Sequence, residues 1–181
     1  GLNSFIYRRY FDYGSFDSFR EMKHRITLQV KNKKLKNNIK LGAGGIREIE
    51  FFGQLFQLIR GGVEPKLQER KILKVLDLLQ TYKCIDEAPK EDLKQAYVFL
   101  RVLENRLQEY ADLQTHDIPE NDERKMILAL SMRHKTWDDL SSVLDHHLNR
   151  VHFHFSQYRY KRSFQCFVNF SHTALMQHWL K

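Results

Sequence analysis

Apolar residues recur at spacings of three and four along most of the chain, which is the period of an amphipathic α-helix. The clearest seam consists of Leu93, Ala96, Tyr97, Leu100, Leu103, Leu107, Tyr110 and Ala111. Pro89 precedes it and suits the first position of a helix, where a backbone N–H has no intrahelical partner. We therefore predict a long helix from Lys90 to about Leu113 that buries this seam.

The same period predicts helices over residues 46–60, 66–82, 123–132 and 137–160, and one that begins after Ser15. Gly53 lies within the helix predicted over residues 46–60, and we expect a close helix crossing there. No two segments read as strands joined by a hairpin. We predict an all-α domain over residues 1–160, an antiparallel bundle of about six or seven helices. Residues 161–181 show no clear period and are predicted to be a tail, either a last helix or a docking arm.

Three glycines in four positions, Gly42, Gly44 and Gly45, interrupt the helical pattern just before a very apolar segment. Because glycine in an ordered element loses backbone freedom and packs no side chain, this stretch predicts a tight loop that leads into a buried helix. Backbone N–H groups before a helix can bind an anion, and Lys40 and Arg47 flank the loop with positive charge. The spacing matches neither a P-loop nor a dinucleotide-binding motif. It leaves open a phosphate site and a tight turn between helices.

The formal net charge is +8, and it is unevenly distributed. Between Arg20 and Lys40 there are eight Lys or Arg residues and one acid, Glu21. A second basic group consists of Arg150, Arg159, Lys161 and Arg162. Such surfaces attract phosphates, nucleic acids and acidic proteins. We expect an acidic or polyanionic partner, with nucleic acid as the less favoured alternative because no nucleic-acid-binding motif is present.

The sequence contains few candidate catalytic residues. Glu48 and Glu50 are two residues apart on a predicted helix, so they face different sides and do not form a carboxylate pair. Four histidines cluster in the last predicted helix, but no two of them are four residues apart, the spacing at which a pair on one helix face can bind zinc. The residues alone predict no metal site and no self-sufficient active site.

The chain has no apolar run of 18 or more residues and no signal-peptide pattern at its first residues. Its two cysteines, Cys84 and Cys166, are far apart and in no metal-ligand spacing. Two cysteines in this arrangement indicate a protein of a reducing compartment rather than one that is held together by disulfides. We expect a cytoplasmic protein without a membrane partner.

The glycine motif and its helix, IKLGAGGIREIEFF over residues 39–52 and QLFQLIRGG over residues 54–62, resemble the bifunctional glutamine synthetase adenylyltransferase/adenylyl-removing enzymes. The likeness continues in FLRVLENRLQ over residues 99–108 and upstream in RRYFD over residues 8–12. A related motif occurs in uridylyltransferases of the PII signal protein. The resemblance implies a nucleotidyltransferase that regulates glutamine synthetase, and a chain that is a piece of that longer enzyme.

The resemblance places this chain in the helical domain after the first of two nucleotidyltransferase cores, in the half that removes adenylyl groups. It implies magnesium and ATP, ADP or phosphate in the full-length enzyme, with none expected bound to this chain. The Gly-Ser motif and paired aspartates of the core have no matching positions here. We therefore expect no catalytic residue in this chain and no activity of the chain alone.

The resemblance also implies partners: the catalytic core, glutamine synthetase and the PII protein. The residues expected to face the core or its nucleotide are Lys40, Gly42, Gly44, Gly45 and Arg47. The residues expected to support them through ion pairs are Glu48, Glu50, Arg101 and Glu104, with Glu48 or Glu50 pairing with Arg101. Two alternatives stay open: a buried ion-pair network that only fixes the loop, and a docking module that binds through Lys31, Lys33 and Lys34.

Overall fold

A computed structural model describes residues 21, 24, 28, 35, 37–111 and 115–157. Within these ranges the complete α-helices are five: α1 (Ile46–Arg60), α2 (Ile72–Thr81), α3 (Glu87–Ala111), α4 (Asp122–Ser131) and α5 (Trp137–Gln157). A short 3₁₀ turn, Pro65–Leu67, lies between α1 and α2. The described residues contain no strand, only an isolated bridge between Asn38 and Asp117.

The predicted all-α class is confirmed, whereas the number of six or seven helices is not. Most of the helix predicted after Ser15 lies outside the described residues, and so do the tail from residue 161 and the basic positions Lys31, Lys33 and Lys34. No helix among the described residues is long and apolar enough to cross a membrane. Cys84 is buried and, contrary to expectation, is not a free thiol; Cys166 lies outside the described residues.

Helix α3 is the centre of the fold, because each of the other four helices packs against it. The predicted seam forms its buried face: Leu93, Ala96, Leu100, Leu103 and Leu107 are at most 5% exposed. Burying one aliphatic side chain of this size contributes about 1.5–3 kcal/mol. The seam therefore supplies much of the energy that holds the helices together.

Helix α1 begins directly after the glycine loop and ends at Arg60, as predicted. One face is fully buried through Ile46, Ile49, Phe52 and Phe56. A Cβ atom built on Gly53 would lie 2.2 Å from the Cδ1 atom of Ile72. The predicted close crossing at Gly53 is therefore confirmed, and α2 is the helix that crosses there.

The helix predicted over residues 66–82 begins later than expected, at Ile72. The cause is a side chain of the preceding helix: the amide of Gln57 donates to the carbonyl oxygens of Leu67 and Glu69, both at 2.6 Å. These carbonyls consequently point toward α1 instead of along a helix axis. The Glu69 carboxylate then accepts the N–H group of Lys71 at 3.0 Å, just before α2 begins.

The other helix boundaries lie close to the predicted ones. Helix α3 begins three residues earlier, at Glu87, which places Pro89 in the first turn, where proline is tolerated. Helix α4 begins after Asn121, whose side chain accepts the N–H groups of Glu123 and Arg124.

Candidate functional site

The glycine loop, residues 42–45, is packed inside the domain, and its glycine N–H groups have acceptors within the protein. The N–H of Gly42 donates to the carbonyl of Asn38 at 2.8 Å, and that of Gly45 donates to Gly42 at 3.0 Å. The N–H of Gly44 donates to the Glu48 carboxylate at 3.0 Å. Further N–H groups with backbone acceptors are those of Ile46, Arg47 and Glu48. This geometry is that of a tight turn, and it leaves these donors unavailable to an anion.

Gly44 touches α5 through its backbone. Its φ angle is +73°, in the left-handed region that favours glycine. A Cβ atom at this position would lie 1.9 Å from the carbonyl oxygen of Leu148. Glycine is therefore required here for two reasons, its backbone conformation and the close approach of the last described helix.

Asn38 fixes the entry to the glycine loop. Its side-chain oxygen accepts the N–H groups of Lys40 and Leu41, at 3.1 and 2.7 Å. Its amide donates to the Asp117 carboxylate at 2.8 Å, and the N–H of Ile39 donates to the carbonyl of His116 at 2.9 Å. The segment before the loop is thus bound to the connection between α3 and α4.

Glu48 is the first of three carboxylates that stabilise the site, and its side chain is 1% exposed. It lies in the first turn of α1, where a negative charge is favoured by the helix dipole. Besides the N–H of Gly44, it contacts Nδ1 of His152 at 3.2 Å. One carboxylate consequently joins the glycine loop, α1 and α5.

Glu104 is the second carboxylate, and its side chain is 3% exposed. Arg101 contacts it at 2.6 Å, His116 at 3.0 Å and Lys40 at 3.4 Å. Lys40, predicted to face a phosphate, thus has a protein carboxylate beside its ammonium group. Arg101 forms its ion pair with Glu104, on its own helix, whereas it was expected to pair with Glu48 or Glu50.

Asp92 is the third carboxylate, and it joins α3 to α5. It accepts hydrogen bonds from Nε2 of His154 at 2.7 Å and from the guanidinium of Arg150. Burial alone would raise the pKa of Asp92, but the hydrogen bonds from His154 and Arg150 outweigh burial and lower it. Arg150, predicted to belong to a basic partner-binding surface, therefore has an acidic partner within the fold.

The Asp92 interactions predict an acid-sensitive contribution to stability. A carboxyl group whose pKa is lowered by folding stabilises the protein above its unfolded pKa of about 3.9, and this stabilisation is lost as the pH falls through the folded value. We expect Asp92→Asn to lower the free energy of unfolding by about 1–3 kcal/mol at pH 7, because hydrogen bonds to a charged group are lost. The difference should shrink below about pH 4. Chemical denaturation at pH 7, 5 and 3.5 measures it, and an equal difference at all three values would contradict the assignment.

Two predicted site residues lie at the edge of this network. Arg47 is exposed on the first turn of α1. Glu50 is half-buried and hydrogen-bonded to the hydroxyl of Tyr97; burial, together with the Glu50 charge, raises the pKa of Tyr97. Sequence reasoning missed Asn38 and the histidine partners His116 and His152, because their roles depend on contacts with residues far away in the chain.

The region of the chain that is similar to known proteins contains the glycine loop and all three carboxylates. A model of the family described as GlnD PII-uridylyltransferase matches residues 20–158. The chain belongs to this family. The resemblance predicted from the glycine motif is confirmed, because similar proteins in Nitrosococcus oceani, Methylococcus capsulatus and Vibrio parahaemolyticus are named bifunctional glutamine synthetase adenylyltransferase/adenylyl-removing enzyme.

The relatives of this GlnD-type domain are much longer than the chain. The Nitrosococcus oceani protein is 51% identical over 156 residues, which cover 86% of this chain and 16% of the relative. The proteins of Methylococcus capsulatus and Vibrio parahaemolyticus are 48% and 45% identical over 151 residues, again 16% of each relative. The chain therefore spans about one sixth of the length of these relatives.

Proposed function

We propose that this chain is the helical domain of an enzyme that attaches and removes adenylyl groups on glutamine synthetase, and that it supports the adenylyl-removing half. The observation that carries the proposal is the 51% identity to one segment of such an enzyme. The interior supports it as well, because Glu48 and Glu104 hold the glycine motif on both sides. A loop held this firmly keeps Ala43 and Arg47, the exposed residues in and beside it, in fixed positions that a catalytic core could contact.

In this proposal the chain contributes shape and positive charge rather than the reacting groups. The catalytic core would supply the site where phosphate attacks the adenylyl-tyrosine and releases ADP. Arg47, exposed beside the glycine loop, and Lys40, which is 36% exposed, would face the core or its nucleotide. Cations held in place near a transferring phosphoryl group stabilise the charge that develops on it.

Magnesium, which the resemblance implies for the whole enzyme, does not fit the residues that the structure describes. Within the described residues no three His, Cys, Asp or Glu side chains come together as a metal site. The buried carboxylates of Glu48 and Glu104 and the partly buried one of Asp92 each have basic or N–H partners in the fold. We assign the metal to the core, glutamine synthetase to the whole enzyme as its substrate, and neither to a residue here.

A domain exchange tests the proposal. This chain would replace the matching segment of the Nitrosococcus oceani enzyme, and phosphate-dependent release of ADP from adenylylated glutamine synthetase would be measured. We expect the chimera to retain activity within about tenfold of the parent, and Arg47→Ala to lower kcat/KM by about 10- to 100-fold. The control is Arg124→Ala, another exposed arginine, on α4, which should change little.

The outcomes of the exchange separate the two parts of the proposal. A correctly folded chimera without adenylyl removal would contradict the assignment of the domain. An active chimera in which Arg47→Ala and Arg124→Ala behave alike would leave the domain assignment standing and would exclude Arg47 from phosphate stabilisation. Binding of PII, the helix number and the boundary at residue 160 stay predictions.

A further inference from the structure

A groove of about 650 Å³ lies between α1, the N-terminal end of α2 and Tyr97 of α3. Its volume is within the range of small-molecule sites, about 300–1,000 Å³. None of its lining residues belongs to the glycine loop or to the Glu104 cluster. The groove is therefore a separate feature of the surface.

The two ends of the groove have different chemistry. Gln57 donates to the carbonyls of Leu67 and Glu69. The end of the groove at Gln57 therefore lies beside the segment that leads to Arg70 and Lys71. Glu50 is seven residues earlier on α1, roughly 10 Å away at a rise of 1.5 Å per residue. There it meets Tyr97. One end is thus cationic, and the other holds a carboxylate and an aromatic ring.

The cationic end retains two basic side chains for a ligand. Lys74 pairs with Glu69 at 3.7 Å. Glu69 directs its other oxygen to the backbone N–H groups of Arg70 and Lys71, at 2.8 and 3.0 Å. In the described part of the chain, no carboxylate lies within ion-pair distance of the guanidinium of Arg70 or the ammonium of Lys71.

Between the two ends the wall is apolar and is formed by Ile72, Leu73 and Val75. A free phosphate would fill only the cationic end of so long a groove. The Glu50 carboxylate repels a second anionic group at the far end, while the Tyr97 ring offers a surface for a flat heterocycle.

We propose that this groove binds a nucleotide, with its phosphates on Arg70 and Lys71 and its base toward the apolar wall and Tyr97. Arginine favours this role because its planar fork donates two parallel hydrogen bonds to a phosphate. The opposite charges at the two ends set the direction in which the ligand lies. The site is distinct from the loop assigned above to the catalytic core, and it does not depend on that assignment.

Calorimetric titration of the 181-residue chain with ADP, pyrophosphate and adenosine tests the proposal. We expect submillimolar binding of ADP, weaker binding of pyrophosphate and none of adenosine. Arg70→Ala with Lys71→Ala should weaken ADP binding at least tenfold, and Arg70→Gln with Lys71→Gln serves as a second variant if the first unfolds. The matched control is Lys66→Ala with Lys135→Ala, which removes two exposed cations outside the groove.

Four results would overturn the site: no heat with millimolar ADP, equal affinity for ADP and adenosine, equal affinity for ADP and pyrophosphate, or an equal loss of affinity in the control variant. The first excludes a nucleotide site. Equal affinity for ADP and adenosine would show that the phosphates do not contribute, and equal affinity for ADP and pyrophosphate would show that the base does not. An equal loss in the control variant would show only nonspecific attraction of an anion to a basic protein. Circular dichroism of each variant verifies that it is folded.

Discussion

Gly44→Ala is expected to destabilise the domain by about 2–5 kcal/mol. Placing a non-glycine residue at a φ of +73° costs roughly 1–2 kcal/mol. The added Cβ atom would also lie 1.9 Å from the carbonyl oxygen of Leu148, which belongs to the backbone of α5 and so cannot rotate away. Relieving such an overlap by a backbone shift typically costs another 1–3 kcal/mol or more. Since small domains are stable by about 5–15 kcal/mol, the variant should lose a large fraction of its stability.

Urea denaturation followed by circular dichroism measures the effect of Gly44→Ala. The control is Ala43→Ser, which alters an exposed side chain of the same loop and should change the free energy of unfolding by less than about 0.5 kcal/mol. If both variants have equal stability, the loop does not contact α5 as closely as described.

Glu104→Ala is expected to lower the free energy of unfolding by about 1.5–3 kcal/mol, the usual contribution of hydrogen bonds to a charged group. The Glu104 carboxylate is 3% exposed, so its contacts with Arg101, His116 and Lys40 are little weakened by water on the acid side. Without it the glycine loop also loses its anchor to α3. Denaturation at pH 7 measures this change.

Helix α3 also carries the matched control for Glu104→Ala. Glu109 pairs with Arg106 at 2.7 Å across the same three-residue spacing that separates Arg101 from Glu104. The Glu109 side chain is 64% exposed, so Glu109→Ala should cost less than about 1 kcal/mol. A loss at Glu104 no larger than that at Glu109 would show that burial adds nothing to the interaction.

The sequence predicted most of the fold because the apolar period is a local property. The seam from Leu93 to Leu107 and the helix before Gly61 are both in the structure as expected. The predicted start of α2 was wrong, because the true start depends on the side chain of Gln57. Gln57 lies ten residues before Leu67, the nearer of the two residues whose carbonyls it binds. A period of three and four residues carries no information about such a contact.

The candidate site was predicted only in part. Glycine spacing, buried charge and resemblance singled out the residues of the glycine motif, Glu48 and Glu104, and their role at a catalytic core stays a prediction. Lys40 was assigned to a phosphate, but its ammonium group has a buried carboxylate beside it. His116 and His152 were missed, since each meets its carboxylate through the tertiary fold, and no sequence spacing indicates which acid a distant histidine will contact.

The contacts of the glycine loop have a consequence for the order in which the domain folds. The loop is complete only when Leu148 covers Gly44 and His152 reaches Glu48, 104 residues further along the chain. Contacts between such distant residues form late, because the entropy of closing the intervening chain must be overcome first. A nascent chain that lacks α5 therefore cannot hold the glycine loop in its native geometry. We expect the motif to be the last element to acquire its native geometry, although it precedes all five described helices in the chain.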